Sequence, residues 1–332
     1  MERFKAYKLT ETPEKKIRAE FVDYTIDQLD PGDVLVRVAY SSVNYKDALA
    51  ATGKGKILRR PSCIGGIDFA GTVVSSTDPR FKKGDAVLTA SGEYVGVSSD
   101  GGYSPYARVN GDWIARVPAG LTLWEAMAFG TAGYTAGIAV VRMEHEGLKP
   151  SSGPVIVDGA TGGVGSIAIA ALAKLGYHVV ALTGKDSEAE WLKKLGAKEI
   201  LLRQSLNLEK IRPLDKATWA GAVDNLGGPV LAWLASTMKD NGVIAAIGLA
   251  ASASLNTTVM PFILRGARLI GINSGDSSND IRDRVWQRLA TDLKPPLLRE
   301  MARTIAFRDL PGVFDDFINA RVSRRVVVDL SE

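Results

Sequence analysis

The chain has 332 residues, of which 46% are hydrophobic and 23% are charged. This composition is typical of a globular protein and excludes disordered and fibrous classes. The formal net charge is +4, but the basic residues are scattered and no zinc-finger, homeodomain or aromatic RNA-binding motif is present. We therefore expect small polyanionic ligands and no nucleic-acid partner.

The sequence also restricts the location of the protein and the role of its one cysteine. An internal disulfide is excluded because Cys63 has no second cysteine to pair with. Since neither His145 nor His178 is near it in sequence, we expect Cys63 to be a small buried residue and not a nucleophile. No apolar run is long enough to span a membrane and the start lacks a signal-peptide core, so we expect a cytoplasmic protein without membrane contacts.

The first third of the chain has the pattern of short β-strands separated by turns. Residues 31–33 (PGD) predict a turn, and residues 34–39 (VLVRVA) alternate as a half-buried strand does. Further strands are expected at 71–74 and 107–109, with a turn into another strand at 81–87. We predict a β-rich domain over residues 1–124.

Residues 155–166 (VIVDGATGGVGS) combine a buried strand, a glycine turn and the start of a helix. The small residues follow the pattern Ala160-x-Gly162-x-x-Gly165, a dinucleotide fingerprint with alanine in its first place. The turn and the helix N-terminus predict that Gly162, Gly163, Val164 and Gly165 contact a pyrophosphate. The alternative is a tight turn between strand and helix that binds no ligand.

The end of the next strand distinguishes the two nicotinamide dinucleotides. NAD sites usually carry an acidic residue there for the ribose 2′-hydroxyl, whereas this chain has Thr183, Gly184 and Lys185. A hydroxyl, backbone donors and an ammonium suit a 2′-phosphate, so the sequence favours NADPH. Asp186, one residue further on, keeps NADH open as the alternative.

From about residue 123 strands alternate with helices, which predicts a doubly wound α/β parallel sheet over residues 125–275. Residues 276–332 contain helical patterns near 281–293 and 309–319 and a last strand at 325–328. This tail is too short for a domain, and we expect it to return to the first one. The nucleotide-binding domain is then an insertion, with the substrate in the cleft between the two domains.

Five segments together resemble a known family: residues 41–47 (SSVNYKD), 65–71 (GGIDFAG), 130–136 (GTAGYTA), the glycine turn, and 260–265 (MPFILR). They are similar to the zinc-free quinone oxidoreductase branch of the medium-chain dehydrogenase/reductase superfamily, above all to its NADPH-dependent acrylyl-CoA reductases. The resemblance spans nearly the whole chain. It implies a GroES-like catalytic domain, an inserted Rossmann domain and a homodimer.

The resemblance also permits a prediction about metals. Zinc-dependent relatives have a cysteine where Asn44 stands and Gly-His-Glu where this chain has residues 66–68 (GID). Isoleucine cannot ligate a metal, and one cysteine cannot form the four-cysteine structural lobe. We expect no metal, which leaves hydride transfer to a carbon that conjugation has made electrophilic.

By position in the family, Tyr45 is implied to lie beside the nicotinamide, with Asn44, Lys46 and Asp47 as the surrounding polar loop. Lys46 or Tyr45 would donate to the developing enolate or to the α-carbon, with water as the alternative proton source. The competing interpretations are structural: Asn44 satisfying the loop backbone, Asp47 pairing with Lys46 or capping a helix, and Tyr45 filling the core.

Other cofactor contacts carry over by position. Arg203 is implied to reach the 2′-phosphate, and Leu249, Ile263 and Ser274 to lie near the nicotinamide half. The C-terminal residues 323–325 (SRR) depart from the glycine-basic pair of the family, which puts a cofactor role for Ala320 or Arg325 in doubt. The basic run 54–60 (KGKILRR) is either a solvated surface or a site for coenzyme A phosphates.

These observations favour an NADPH-dependent reductase of a short 2-enoyl-CoA that converts acryloyl-CoA to propanoyl-CoA. One alternative is reduction of quinones or free enones by NADPH without zinc. The other is a protein that binds NADPH but does not turn over.

Overall fold

The structure is a computed structural model that describes residues 3–90, 94–275 and 277–331. The strands are β1 (Arg3–Glu11), β2 (Ile17–Thr25), β3 (Val34–Val43), β4 (Ser62–Ile64), β5 (Asp68–Ser76), β6 (Ala86–Ala90), β7 (Tyr106–Val109), β8 (Ala115–Arg116), β9 (Val155–Val157), β10 (Val179–Thr183), β11 (Glu199–Leu202), β12 (Trp219–Asp224), β13 (Met238–Ala246), β14 (Arg268–Gly271), β15 (Ala302–Ala306) and β16 (Arg325–Asp329). The α-helices are α1 (Tyr45–Thr52), α2 (Leu123–His145), α3 (Gly163–Lys174), α4 (Ala189–Lys194), α5 (Gly228–Thr237), α6 (Met260–Leu264), α7 (Asn279–Leu289) and α8 (Phe314–Ile318).

The chain forms two compact units. The first, here called the β-rich unit, contains Met1–Tyr134, Ser274–Ala290 and Leu298–Glu332, and the second, the Rossmann unit, contains Thr135–Asn273 and Thr291–Leu297. The sequence placed the first division at residue 124, whereas the units divide ten residues later, inside α2. Periodicity could not show this because both parts of that helix are apolar.

The β-rich unit contains a seven-stranded sheet of order β15-β16-β3-β5-β6-β8, in which β7 also pairs with β3. A second sheet has the order β2-β1-β4. The first half of β3 pairs with β7 and its second half with β16, where Val43 lies opposite Val326. The last strand of the chain therefore completes a sheet that the first third begins.

The alternation of β3 decides which of its side chains enter the core. Val34, Val36 and Val38 are fully buried while the intervening residues are partly exposed, because successive side chains of a strand point to opposite faces. Phe69 and Phe314 belong to the same core cluster. This packing fixes the end of β3, from which the candidate catalytic loop starts.

The Rossmann unit contains a six-stranded, entirely parallel sheet of order β11-β10-β9-β12-β13-β14. Its central strands are continuous apolar runs, and Ile156, Ala222 and Ile244 are fully buried. The strand order reverses between β9 and β12, which makes the carboxyl ends of these strands the expected ligand site. The doubly wound sheet and the β-rich domain predicted from the sequence are both confirmed.

Within the described ranges, no helix combines the length and apolarity needed to cross a lipid bilayer.

Candidate functional site

The glycine turn follows β9, and Gly162 is the N-cap of α3. A Cβ atom on Gly165 would lie 2.4 Å from the carbonyl oxygen of Gly159, so only glycine allows the helix to approach the strand this closely. Gly162 is exposed, which leaves the backbone of the turn and the positive end of the α3 dipole accessible to an anion. The structure thus brings the predicted pyrophosphate residues together at a helix N-terminus.

Asp158 directly follows β9, and Asp224 is the last residue of β12. The sequence alone assigns no role to either residue. Asp158 is fully buried; its Oδ1 accepts from the backbone N–H of Asn225 at 2.6 Å, and its carbonyl oxygen accepts from Asn225 Nδ2 at 2.7 Å. Burial and the charge of Asp224 raise the pKa of Asp158 well above its ordinary value. Burial therefore favours the protonated form of Asp158, and its bonds to Asn225 tie the ends of β9 and β12 together at the switch point.

The residues predicted for the 2′-phosphate also lie close together. Parallel pairing sets Thr183 beside Leu202, so Arg203 follows at the same edge of the sheet. A Cβ on Gly184 would lie 3.4 Å from Arg203 Nη2, which places the guanidinium against this glycine. The Thr183 hydroxyl accepts from the backbone N–H of Lys185 at 3.0 Å. Arg203 and Gly184 are exposed and Lys185 is partly exposed, which suits a phosphate, whereas Thr183 is buried and its hydroxyl holds the turn in shape.

Three further predicted contacts are less closely grouped. Leu249 is 67% exposed and follows Gly248, where a Cβ would lie 2.3 Å from the carbonyl oxygen of Asn225; it thus lies at the carboxyl edge of the sheet. Ile263 is 72% exposed on α6, and no described contact joins it to the glycine turn. Ser274 is half-buried and belongs to the β-rich unit. The roles of all three stay predictions.

The candidate catalytic loop joins β3 to α1. Asn44 is the N-cap of α1, and Tyr45 is its first residue. The side chain of Tyr45 is 53% exposed, which excludes core filling as its role and leaves the ring available to a ligand. Lys46 is partly exposed beside it. These two side chains are the accessible polar groups of the loop.

Asp47 is 3% exposed and serves the backbone. Its Oδ2 accepts from the backbone N–H of Asn44 at 2.8 Å, and its Oδ1 accepts from that of Ile67 at 3.0 Å. Burial and the charge of Asp68 raise the pKa of Asp47 to about 7. This geometry favours the structural interpretation of Asp47, which fastens the loop to the segment before β5.

Asp68 is fully buried, and its carboxylate accepts hydrogen bonds from three other residues. Its Oδ2 accepts from the Ser42 hydroxyl at 2.6 Å, from Asn44 Nδ2 at 2.8 Å and from the Thr131 backbone N–H at 2.8 Å, while Oδ1 accepts from the Thr131 hydroxyl at 2.5 Å. The carboxylate therefore connects the end of β3 with the kink of α2. A buried anion with this many donors is fixed in place.

Arg325 supplies the buried counter-charge. Its guanidinium donates to Asn44 Oδ1 at 3.1 Å and to the carbonyl oxygens of Val43 and Ala128, each at 3.2 Å. Nη2 lies 4.0 Å from Asp68 Oδ2, and both side chains are almost completely inaccessible. Burial lowers the pKa of Arg325, while the charge of Asp68 opposes this effect. The side chain is thus a buried structural cation behind the candidate catalytic loop.

Gly130 interrupts α2 so that this cluster can form. Its φ is 51°, and a Cβ there would lie 2.4 Å from Asp68 Oδ2 and 2.6 Å from Arg325 Nη2. The sequence alone assigns no role to Asp68 or Gly130, and it raises Arg325 only as a doubtful cofactor contact. The available signal was Asp68 inside the apolar run 67–70 and Arg325 at the start of the run 325–328, because such charges are almost never buried unless they are paired.

Two other expectations concern the β-rich unit. Cys63 is buried, and burial raises the pKa of its thiol to about 12, which agrees with the prediction that it is not a nucleophile. In the basic run, Arg60 forms an ion pair with Asp30, whereas Lys54 and Lys56 are exposed. Arg60 is therefore structural, and the two lysines are available to a ligand.

Comparison with known proteins agrees with this architecture. Residues 30–119 match the alcohol dehydrogenase GroES-like domain, and residues 163–291 match the zinc-binding dehydrogenase family. The residues around Asn44 do not fit a zinc ion, because Asn44 Oδ1 already accepts from the Arg325 guanidinium and a second cation there would be repelled. Over the described ranges, no cluster of three or more His, Cys, Asp or Glu side chains suits a metal.

Three relatives are similar over nearly their whole length. The putative quinone oxidoreductase YhfP of Bacillus subtilis is 48% identical over 92% of both chains, and its structure with NAD bound has a TM-score of 0.96. The acrylyl-CoA reductase AcuI of Ruegeria pomeroyi is 46% identical over 95% of this chain and 96% of its own. The YhdH oxidoreductase of Salmonella enterica, solved with NADP, is 46% identical with a TM-score of 0.94, covering 98% of this chain and 100% of its own.

Proposed function

This chain belongs to the medium-chain dehydrogenase/reductase superfamily, and we propose that it is an NADPH-dependent reductase of the C=C bond of a short 2-enoyl-CoA, acryloyl-CoA first. The observation that carries the proposal is the grouping of Thr183, Lys185 and Arg203 around Gly184 at the edge of the sheet that holds the glycine turn. The similarity to AcuI over 95% of the chain supports the choice of acceptor.

The residues of the Rossmann unit fit a phosphorylated dinucleotide. The α3 N-terminus and the backbone from Gly162 to Gly165 would hold the pyrophosphate, and Lys185 and Arg203 would hold the 2′-phosphate. Asp158 stabilises the conformation of the glycine turn through its hydrogen bonds to Asn225. When bound, NADPH supplies a hydride to the acceptor.

The β-rich unit supplies the polar groups for the acceptor. The β-carbon of the enoyl thioester accepts the hydride, negative charge develops on the thioester oxygen, and a proton then adds to the α-carbon. Tyr45 and Lys46 are accessible donors that would stabilise this charge. The buried pair of Asp68 and Arg325 holds Asn44, and with it the start of α1, in position.

Lys54 and Lys56 are the basic groups that we assign to the phosphates of coenzyme A. Both are exposed in the segment that follows α1. A quinone or a free enone carries no phosphate with which they could pair. Reduction of quinones remains the second candidate function, which the similarity to YhfP supports. A protein that binds NADPH without turnover is the third.

We also propose that the chain forms a homodimer through the Rossmann unit. β14 is the last strand of the sheet, and large apolar side chains are exposed on it and on the preceding α6, among them Val259, Ile263, Leu264 and Leu269. An exposed apolar edge of this kind is a pairing site for another strand. A second copy of the chain offers the same edge and completes a symmetric interface.

Steady-state NADPH oxidation with acryloyl-CoA, and separately with a simple quinone, tests the function. We expect kcat/KM to be higher for acryloyl-CoA than for the quinone. A higher value for the quinone would make quinone reduction the proposed function instead, and no turnover with either acceptor would favour a protein that binds NADPH without turnover. Thr183→Val with Lys185→Ala should raise KM for NADPH far more than KM for NADH. Lys198→Ala, an exposed control in the same unit, should change neither; equal effects on both cofactors would refute the assignment of the 2′-phosphate site.

A further inference from the structure

The β-rich unit contains a cavity of about 280 Å³, and none of the residues assigned above to the cofactor or to the acceptor is among the described residues that line it. Its walls come from the end of β6, from Tyr94, Asp112 and Trp113, from Tyr134 of α2, and from residues that lead into α7 and lie on it. All the described residues that line it belong to this one unit. The cavity is therefore a property of a single compact body.

Two stacked aromatic pairs form the apolar part of the wall. Tyr94 and Trp113 have ring centroids 4.9 Å apart and an interplanar angle of 11°, and Tyr134 and Trp286 have centroids 5.8 Å apart and an angle of 4°. Tyr134 and Trp286 are almost fully buried, and the Tyr134 hydroxyl is hydrogen-bonded to that of Ser277. The cavity thus has flat, rigid apolar surfaces of the kind that receive a planar group.

Arg282, on α7, supplies the cation of this cavity. Its side chain is 18% exposed, and its Nη1 donates to the carbonyl oxygen of Asp112 at 2.6 Å. Its Nε has no hydrogen-bond acceptor among the described residues but is itself buried, so a ligand in the cavity would meet the exposed part of the side chain. A guanidinium carries five N–H donors, and the partial exposure of this side chain leaves some of them to a ligand. This arrangement favours a ligand that brings acceptors.

The carboxylates near Arg282 do not neutralise it inside the cavity. Asp283 Oδ1 lies 3.9 Å from its Nε, beyond hydrogen-bond distance, and the Asp283 side chain is 73% exposed. The carboxylate of Asp112 is 66% exposed and pairs with Arg80 at 2.7 Å. Exposed charges of this kind are screened by water. A bound anion would face a partly desolvated guanidinium without a competing buried carboxylate among the described residues.

We propose that this cavity binds a small planar carboxylate, an aromatic or conjugated acid, with its anionic group on Arg282 and its apolar body against the aromatic walls. A guanidinium matches a carboxylate bidentately, which a neutral amide or a single point charge cannot reproduce. The cavity has room for a molecule the size of benzoate. This site goes beyond the proposed reaction and does not depend on it.

Isothermal titration calorimetry of the full chain with benzoate tests the proposal, with benzamide and acetate as matched probes. We expect benzoate to bind at least tenfold more tightly than benzamide, which lacks the charge, and than acetate, which lacks the ring. Arg282→Met should weaken benzoate binding at least tenfold, and Arg282→Lys should give an intermediate affinity. Arg284→Met removes the same charge from an exposed position of α7 and should leave binding unchanged.

Trp113→Leu changes a second, partly exposed residue of the wall. It should reduce the preference for benzoate over acetate, because it removes an aromatic ring while Arg282 keeps its charge. This comparison keeps the proposal testable even if Arg282→Met fails to fold. Absence of benzoate binding by the unaltered chain would overturn the proposal. Equal losses in Arg282→Met and Arg284→Met, or equal affinities for benzoate and benzamide, would overturn it as well, because they would show a general charge effect or a merely apolar cavity.

Discussion

Replacing Arg325 with methionine is the sharpest test of the buried cluster behind the candidate catalytic loop. The change keeps much of the apolar volume but removes the cation and its hydrogen bonds to Asn44, Val43 and Ala128. Asp68 would then remain fully buried without its counter-charge. Removing one partner of a buried pair typically costs about 3–5 kcal/mol, and we expect Arg325→Met to destabilise the β-rich unit by at least about 3 kcal/mol.

The double variant tests whether this cost belongs to the pair. Asp68→Asn alone should also be destabilising, because it leaves the Arg325 cation buried and weakens the bonds from Ser42 and Thr131. Combining Asp68→Asn with Arg325→Met removes both charges. The combined loss should therefore be smaller than the sum of the single losses by about 0.5–3 kcal/mol, the range found for residues in one network.

Hydrogen exchange of peptides from β3 and β16 is the suitable assay, since it reports local opening of the β-rich unit separately from the rest of a chain with two units. Arg321→Met is the matched control: it removes an arginine whose ion pair with Asp316 is largely exposed, and such pairs contribute about 0–1 kcal/mol. Unchanged protection in Arg325→Met, or additive losses in the double variant, would refute the reasoning.

The remaining predictions concern pH, the glycine turn and assembly. Burial and a neighbouring carboxylate raise the pKa of Asp47 from 3.8 to about 7 in the folded chain. Its contribution to stability is therefore complete below about pH 4 and is lost as the pH rises toward 7. The urea midpoints at about pH 5 and pH 8 should differ less in Asp47→Asn than in the unaltered chain, and equal differences in the two proteins would contradict this. Gly165→Ala should weaken NADPH binding in calorimetry on the order of tenfold to a hundredfold, because its Cβ would displace the turn at Gly159. Leu269→Glu on β14 should convert the proposed dimer to a monomer in size-exclusion chromatography with light scattering, whereas Lys198→Glu, beside the opposite edge strand, should not.

Local patterns were sufficient for most elements of the fold. The alternation in residues 34–39 identified the core-facing valines of β3, and the glycine pattern placed the start of α3 within one residue. The predicted helix over 309–319 proved to be a 3₁₀ segment, Phe307–Val313, followed by the short α8. Pro311 explains the difference, because it lies inside the predicted helix and removes a backbone donor there. The periodicity of apolar residues indicates which side chains are buried, but it does not show that the backbone of Pro311 lacks an N–H donor.

Contacts between distant parts of the chain were beyond the reach of these patterns. Arg325 and Asn44 are separated by 281 positions, and only the antiparallel pairing of β16 with β3 brings them together. Position in a family motif pointed to Asn44 and Asp47, but it could not show that Asn44 bonds to the buried side chains of Asp68 and Arg325 and that Asp47 bonds to backbone N–H groups. Nor could it show that Tyr45 and Lys46 remain the accessible groups. The candidate site was therefore predicted as a segment, and the division of labour within it required the structure.

Arg325 and Arg282 show why a charge read from a sequence does not define its role. Each has an apolar residue on one side and a charged residue on the other, and these immediate neighbours do not show which group the guanidinium meets. In the fold, Arg325 meets the buried carboxylate of Asp68, whereas Arg282 meets a carbonyl oxygen and an aromatic cavity. A cation that is neutralised within its unit stabilises the fold, and one that lacks a buried counter-charge among the described residues is free to be neutralised by a ligand. The same physical requirement thus assigns a structural role to one arginine and a binding role to the other.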